Sequence, residues 1–223
     1  MCGRFTLTVD PGQLQEAFPW VDIPENIAQR YNIAPSQPVG IVPNDGKNRL
    51  DFYNWGLIPF WAKDPKIGNR MINARSETLE EKPSFRGSFK YKRCLVLADG
   101  FYEWRKQPGK TSKVPYFIHL KDHSPFAFAG LWDAWHSDDG SEVRSFTIIT
   151  TEPNELIEQI HNRMPVILAP DSYQAWIKEG ENDAQLLKSF LRPYPSDEMD
   201  AYPVSRAVNS PQNDSPECIL RID

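Results

Sequence analysis

Short apolar runs rich in Val, Ile, Phe and Trp recur along this chain, each stopped within a few residues by a turn signal, and that rhythm limits the folds open to it. Phe5-Thr6-Leu7-Thr8-Val9 alternates with period two and reads as a strand that begins at once, which holds the terminus down. Residues 39–42 and 50–55 flank Asn44-Asp45-Gly46 and read as a hairpin. Residues 93–98 and 101–104 read as two strands joined through Asp99-Gly100, and further strands are expected near 116–120, 126–131, 143–150 and 166–168. Helical signals are fewer and shorter. Asp10-Pro11-Gly12-Gln13 carries an N-cap, a first-turn proline and a capping-box glutamine ahead of Leu14, Ala17 and Phe18. Residues 153–160 place Leu156, Ile157 and Ile160 on one side and must leave the helical region before Pro165. Residues 171–178 and 183–191 also read as helical, and Ser76-Glu77-Thr78-Leu79 as a brief turn of helix. Strands outnumber helices without the regular alternation of a doubly wound sheet. The expected class is therefore α+β, one domain over residues 1–223 with a largely antiparallel, barrel-like sheet core flanked by short helices.

The remaining stretches read as irregular. Residues 19–38 are proline-rich, and Tyr31-Asn32-Ile33-Ala34-Pro35 is expected as a loop over the core. Trp55 to Pro65 combines three large aromatics with a glycine and two prolines, which suits a loop or wall with aromatics free to stack on bases. Met71-Ile72-Asn73-Ala74-Arg75 reads as a short strand, and the tail from Tyr202 as extended chain ending in a strand at Cys218-Ile219-Leu220. With 223 residues and 40% hydrophobic content, the chain can bury one sizeable core. The first twenty residues lack a basic segment followed by an apolar run, and no stretch approaches the ~20 apolar residues of a membrane span, so an intracellular protein is expected. Three cysteines, an odd number without metal-type spacing, argue against a disulfide framework or a zinc site.

A net charge of −5 speaks against a protein that coats nucleic acid non-specifically. The distribution is uneven: residues 1–100 carry 13 Lys/Arg against 11 Asp/Glu, and residues 101–223 carry 12 against 19. Lys82, Arg86, Lys90, Lys92 and Arg93 share a window with no acid, which suits either a solvated face or a phosphate-contacting patch.

The terminus carries the most distinctive chemistry. In Met1-Cys2-Gly3-Arg4-Phe5 the second residue is small, so trimming of Met1 is expected, leaving Cys2 with a free α-amine and a thiol on adjacent carbons. An unperturbed α-amine titrates near ~8 and a thiol near ~8.5, so both are partly nucleophilic at neutral pH. An aldehyde condenses with the amine to an imine, and sulfur then closes a five-membered thiazolidine. The alternative is a small buried hydrophobe. Three polar residues stand in otherwise apolar surroundings, each with two readings. Asn73 either caps the following helical turn or serves chemistry. Glu103 either points to solvent by strand alternation or faces inward as a proton donor or acceptor. His161 either complements a helix C-terminus or shuttles protons. Arg4 and Arg75 are ion-pair candidates that a nearby phosphate would promote. Cys94 reads as core.

These segments, with Tyr31-Asn32-Ile33-Ala34-Pro35, Trp55-Gly56-Leu57-Ile58-Pro59, Asn73-Ala74-Arg75-Ser76-Glu77-Thr78, Asp99-Gly100-Phe101-Tyr102-Glu103-Trp104 and Ile160-His161-Asn162-Arg163-Met164-Pro165, closely resemble the SOS response-associated peptidase (SRAP) family of abasic-site processing proteins, in order from residue 1 to about residue 210. The resemblance implies an SRAP-like domain that senses abasic sites in single-stranded DNA and crosslinks to the lesion's aldehyde through Cys2, protecting it during the DNA damage response. It implies Cys2, Asn73, Glu103 and His161 as catalytic residues, and Arg4, Trp61 and Arg75 as DNA contacts. It implies no cofactor or metal, a monomer without membrane attachment, a cytoplasmic protein that is nucleoid-associated when acting, self-removal of Met1 and a possible AP-lyase side reaction. Some relatives carry a second aromatic after the tryptophan, where this chain has Ala62. Two other functions fit the same residues: a general cysteine peptidase built on Cys2 and His161, and a non-covalent binder of single-stranded or modified DNA.

Overall fold

A computed structural model describes residues 2–109 and 111–222. Among them, twelve strands form two sheets: β1 (Phe5–Leu7), β2 (Arg30–Ile33), β3 (Pro38–Pro43), β4 (Asp51–Trp55), β5 (Asn73–Arg75), β6 (Arg93–Ala98), β7 (Gly100–Lys106), β8 (Lys113–Leu120), β9 (Phe126–His136), β10 (Glu142–Thr151), β11 (Met164–Pro165) and β12 (Met199–Pro203). Strands β4, β3, β6, β9 and β10 pair in that order, and β10 pairs in turn with both β9 and β4, so five strands close on themselves. Closure removes the exposed edges that an open sheet would present. Short β5 and β11 add to β10 from outside this circuit. The second sheet is open, with order β12-β8-β7-β1-β2, and every pairing in it is antiparallel. The barrel departs from antiparallel pairing only where β10 meets β4 and β5.

Helices are short. In α1 (Pro11–Ala17) Asp10 accepts from the Gln13 backbone while Gln13 returns the bond, the full capping box that the sequence announces. The others are α2 (Arg86–Tyr91), α3 (Glu155–Glu158), α4 (Tyr173–Trp176) and α5 (Ala184–Ser189). The α3 segment is one turn, shorter than the expected 153–160, started by Asn154 capping Ile157 N–H at 2.9 Å.

One apolar cluster runs through the barrel interior and onto the inner face of the open sheet, from Cys2 and Phe5 to Met199. Phe5 joins the layers edge-on to Trp55 at 5.1 Å and to Phe128 at 5.8 Å, contacts worth roughly 0.5–1.5 kcal/mol each beyond their burial. A smaller cluster of Tyr102, Phe117, Val204, Val208 and Cys218 seals the other face of the open sheet beneath the C-terminal segment.

Three local expectations change. Tyr31-Asn32-Ile33 is strand β2, paired with β1, because the terminal strand supplies a partner that local sequence cannot announce. Cys218-Ile219 lies in a 3-10 turn (Pro216–Ile219) opened by its proline, not in a strand. Residues 166–168 contribute only an isolated bridge, Ile167 to Phe128. The two strands expected to join through Asp99-Gly100 do so, and the joint passes the chain from β6 in the barrel to β7 in the open sheet. A Cβ at Gly100 would lie 2.3 Å from the Phe117 ring, so the crossing needs glycine.

Candidate active site

Cys2 is wholly buried at the head of β1, with its thiol 3.8 Å from the Arg4 carbonyl it donates to. Burial pushes this thiol well above its ordinary value, and the nearby Glu103 charge adds to the effect. Met1 lies outside the described residues.

Two networks hold the terminal strand. The carboxylate of Asp99 accepts from Thr6 Oγ1 (2.5 Å), Thr8 N–H (2.5 Å), Thr8 Oγ1 (2.6 Å) and Val9 N–H (3.0 Å). On the other side, Arg4 donates to Asn32 Oδ1 (2.8 Å), Val208 O (2.6 Å) and Asn209 O (3.1 Å). Asn32 is fully buried and donates in turn to the carbonyls of Val208, Ser210 and Asn213. Both networks tie residues far apart in sequence, so neither Asp99 nor Asn32 gave a positional signal beforehand.

The remaining candidates converge on Cys2. Asn73 opens β5, which runs parallel to β10, and its Nδ2 donates to Cys2 O at 2.8 Å. The helical turn that follows (Ser76–Thr78) takes Arg75, without a side-chain bond, as its cap, so Asn73 is not a capping residue. Asn73 Oδ1 is buried and has no hydrogen-bond partner, an acceptor held ready in a site of this kind. Glu103 is 2% exposed. It shares a face of β7 with Phe101, whose ring packs against Phe128 of the barrel, while Tyr102 and Trp104 turn to the C-terminal segment. Strand alternation did not send Glu103 to solvent because both faces of this sheet are covered.

His161 arrives at the end of α3, its N–H bonded to Ile157 O at 2.8 Å. Nδ1 meets both Arg163 N–H at 3.1 Å and Arg163 O at 3.3 Å, so the Arg163 backbone fixes the ring's orientation. Burial lowers the imidazole below its ordinary value, while the Glu103 charge pulls the other way. Glu103 therefore acts electrostatically on both the Cys2 thiol and His161. Arg163 itself grips Glu77 through both guanidinium ends (2.5 and 2.9 Å) and Thr150 O (2.7 Å), linking the segment after Asn73 to the loop that carries His161.

The expected DNA contacts lie in different settings. Arg75 is exposed and has no ion pair among the described residues, whereas much of the Arg4 guanidinium is engaged inside the protein. Trp61 is 47% exposed beside Phe60 at 68%. Their loop is fixed from below: Asp133 accepts from Phe60 N–H at 2.8 Å and Trp135 Nε1 donates to Ala62 O at 2.7 Å. Aromatics that face solvent on an anchored backbone suit stacking. Of the basic run, Lys82, Arg86 and Lys90 are exposed, but Arg93 is fully buried and Lys92 pairs with Asp133 at 2.6 Å. Among the described residues no group of three or more His, Cys, Asp or Glu is placed to hold a metal, and no helix is long and apolar enough to cross a membrane.

Residues 1–211 match the sequence model of the family described as SOS response associated peptidase (SRAP). The chain is 51% identical to the abasic site processing protein YoqW of Bacillus subtilis, over 98% of this chain and 99% of that one. It is 31% identical to the abasic site processing protein HMCES of Xenopus tropicalis, over 100% of this chain and 78% of that one. Among solved structures, a Bacteroides thetaiotaomicron protein superposes with a TM-score of 0.88 at 29% identity, covering 99% of this chain and 100% of that one. A phage-related protein from Bordetella bronchiseptica superposes with a TM-score of 0.74 at 29% identity, covering 92% and 95%.

Proposed function

The chain belongs to the SOS response associated peptidase (SRAP) family, and from that premise we propose that it processes abasic sites in single-stranded DNA by covalent capture through Cys2, with Met1 removed first. The observation that carries this reading is the fixed terminus: Asn73 holds the Cys2 carbonyl at 2.8 Å while the Glu103 charge acts on both the Cys2 thiol and His161.

The order of steps follows from the electrostatics. Burial raises the thiol above its ordinary value, which favours attack by the α-amine first. Glu103 takes a proton from the α-ammonium, and His161 gives a proton to the ring oxygen as the C1′–O4′ bond breaks and takes up the proton of the 1′-hydroxyl, which leaves the aldehyde. The amine and the C1′ aldehyde form a C=N bond and release one water. Sulfur then bonds to the same carbon while the thiol proton passes to nitrogen, which closes the thiazolidine. Asn73 orients the terminus, and its second amide atom faces the site as an acceptor for a sugar hydroxyl. Arg75 and, with its remaining donors, Arg4 serve phosphates, and Trp61 stacks on a flanking base. A protonated thiol makes a general cysteine peptidase the weaker reading, because such enzymes need a stabilised thiolate.

Intact mass of the protein, before and after incubation with an oligonucleotide carrying one abasic site, tests this. Loss of one methionine followed by a gain of one DNA strand less one water is expected. Glu103→Gln and His161→Ala should each slow the gain by about 10²-fold or more. Capture at the wild-type rate by Cys2→Ser sinks the proposal.

A further inference from the structure

The half of the chain from residue 101 onward is acidic, yet residues 104–121 carry five Lys/Arg and no acid. That stretch is the hairpin of β7 and β8, and it is continuous with Glu103. Arg105, Lys106 and Lys113 are exposed, and so is Arg206 on the neighbouring C-terminal segment; none of them makes an ion pair among the described residues. Other exposed cations, such as Arg144 with Glu142 and Asp51, are paired.

The hairpin also has the shape of a binding surface. Arg105 shares the face of β7 that bears Glu103, and Tyr116 stands directly opposite Glu103 on β8. Arg105 donates to Tyr116 Oη at 3.3 Å and lies 5.9 Å from its ring centroid, which directs the guanidinium. A groove of about 770 Å³ opens between these residues, Gln159 and Ile222, and Gln159 lies two residues before His161. The Lys113 charge acts on His161, so the hairpin tip lies within electrostatic range of the site. On the opposite face of the hairpin, beside Lys113 and Arg206, the half-buried Trp104 is locked by a bond from its Nε1 to Asn209 Oδ1 at 2.8 Å. Cations without acid partners around fixed aromatics are the combination that holds single-stranded polynucleotides.

We propose that the β7–β8 hairpin is a separate polynucleotide-binding arm of this protein that engages the strand on both faces, with Arg105 on a phosphate and Tyr116 on a base on the face that bears Glu103, and Lys113 and Arg206 on phosphates and Trp104 on a base on the face toward the C-terminal segment. This rests on the lesion-processing reading above and adds to it the path of the strand beyond the reacting sugar.

The test is equilibrium binding of the full chain to a single-stranded oligonucleotide carrying one tetrahydrofuran, an abasic analogue with no aldehyde. The variant Arg105→Ala/Lys113→Ala should bind about 10-fold more weakly near 0.1 M salt, and its log–log salt slope should be smaller by about 1.4, the value for two lost single-strand phosphate contacts. Trimming the strand on one side of the lesion should erase the difference, and trimming the other side should leave it. The charge-preserving Arg105→Lys/Lys113→Arg should restore most of the affinity. With a true abasic oligonucleotide, the variant's crosslinking rate should fall by the same factor below saturation and recover when DNA saturates. Unchanged affinity and salt slope in a variant with the wild-type melting temperature would overturn the proposal. So would loss of poly-glutamate binding with DNA binding intact, which would assign the arm to an acidic polypeptide. A wild-type protein that binds the tetrahydrofuran strand through this arm yet never gains DNA mass from a true abasic site would refute covalent capture alone.

Discussion

The barrel and the open sheet are held by different forces, and the candidate site lies where they meet. All six residues of β6 are buried, and the barrel encloses Phe128, Phe146, Ile148 and Leu131 with almost no exposure. Its main polar insertion is Arg93, fully buried and saturated by backbone carbonyls of Phe89, Lys90, Trp176, Lys178 and Glu181. The open sheet is thinner and is pinned at its edges by side-chain bonds: Asp99 to the first strand, Arg4 and Asn32 to the C-terminal segment. Cys2 and Glu103 belong to the open sheet, whereas Asn73 and His161 come from segments attached to β10 of the barrel. One layer supplies the proposed nucleophile and the other much of what surrounds it, so the candidate site depends on their docking as much as on either fold.

Three substitutions separate these contributions. Arg93→Ala should have the largest effect, about 4 kcal/mol in urea unfolding, because it leaves several buried carbonyls unpaired and opens a cavity in the barrel wall. The fraction that stays folded should crosslink at the wild-type rate. A large fall in rate per folded molecule would break the division between support and site. Asp99→Asn should cost about 2 kcal/mol, since it weakens charge-assisted bonds to Thr6, Thr8 and Val9. Unlike the barrel change, it should slow crosslinking about 10-fold in fully folded protein, because the strand bearing Cys2 loses its anchor. Glu77→Gln is the mildest, less than about 1 kcal/mol, because half of the Glu77 side chain faces water. Its pH dependence has a defined sign. The bond from Arg163 holds the Glu77 carboxyl below its ordinary value, so the wild-type advantage is fully present above the unfolded carboxylate pKa of ~4.3 and disappears as pH falls through the lowered one. Unfolding curves of both proteins from pH 7 to pH 3 should converge at the acid end. Curves that stay apart there would mean Glu77 acts through something other than its charge.

Much of this was open to reading in the linear chain. Short apolar runs bounded by turn signals located most of the strands, though not β2 or β12, and the Asp10 to Gln13 capping box located α1, because each depends on neighbours within a few residues. The convergence of Cys2, Asn73, Glu103 and His161 was reached through ordered motifs. Asn32 read as part of a loop and Asp99 only as part of a joint between strands, for a shared reason: their partners lie far away in sequence, from Thr6 and Val9 to Val208 and Asn213. The basic run was half misplaced, since Arg93 continues into a strand that is buried on both faces.

Sequence alone determined what is covalent or local: the 1,2-aminothiol that removal of Met1 would leave, most of the element types, and which residue types are available for proton transfer. Tertiary structure decided which way those residues face. Glu103 turns inward because the barrel covers one side of its sheet and the C-terminal segment the other, and Asn73 reaches Cys2 because β5 lies parallel along β10. Desolvation and hydrogen-bond geometry, which set the reactivity of each group, arise only once segments distant in the chain are packed together.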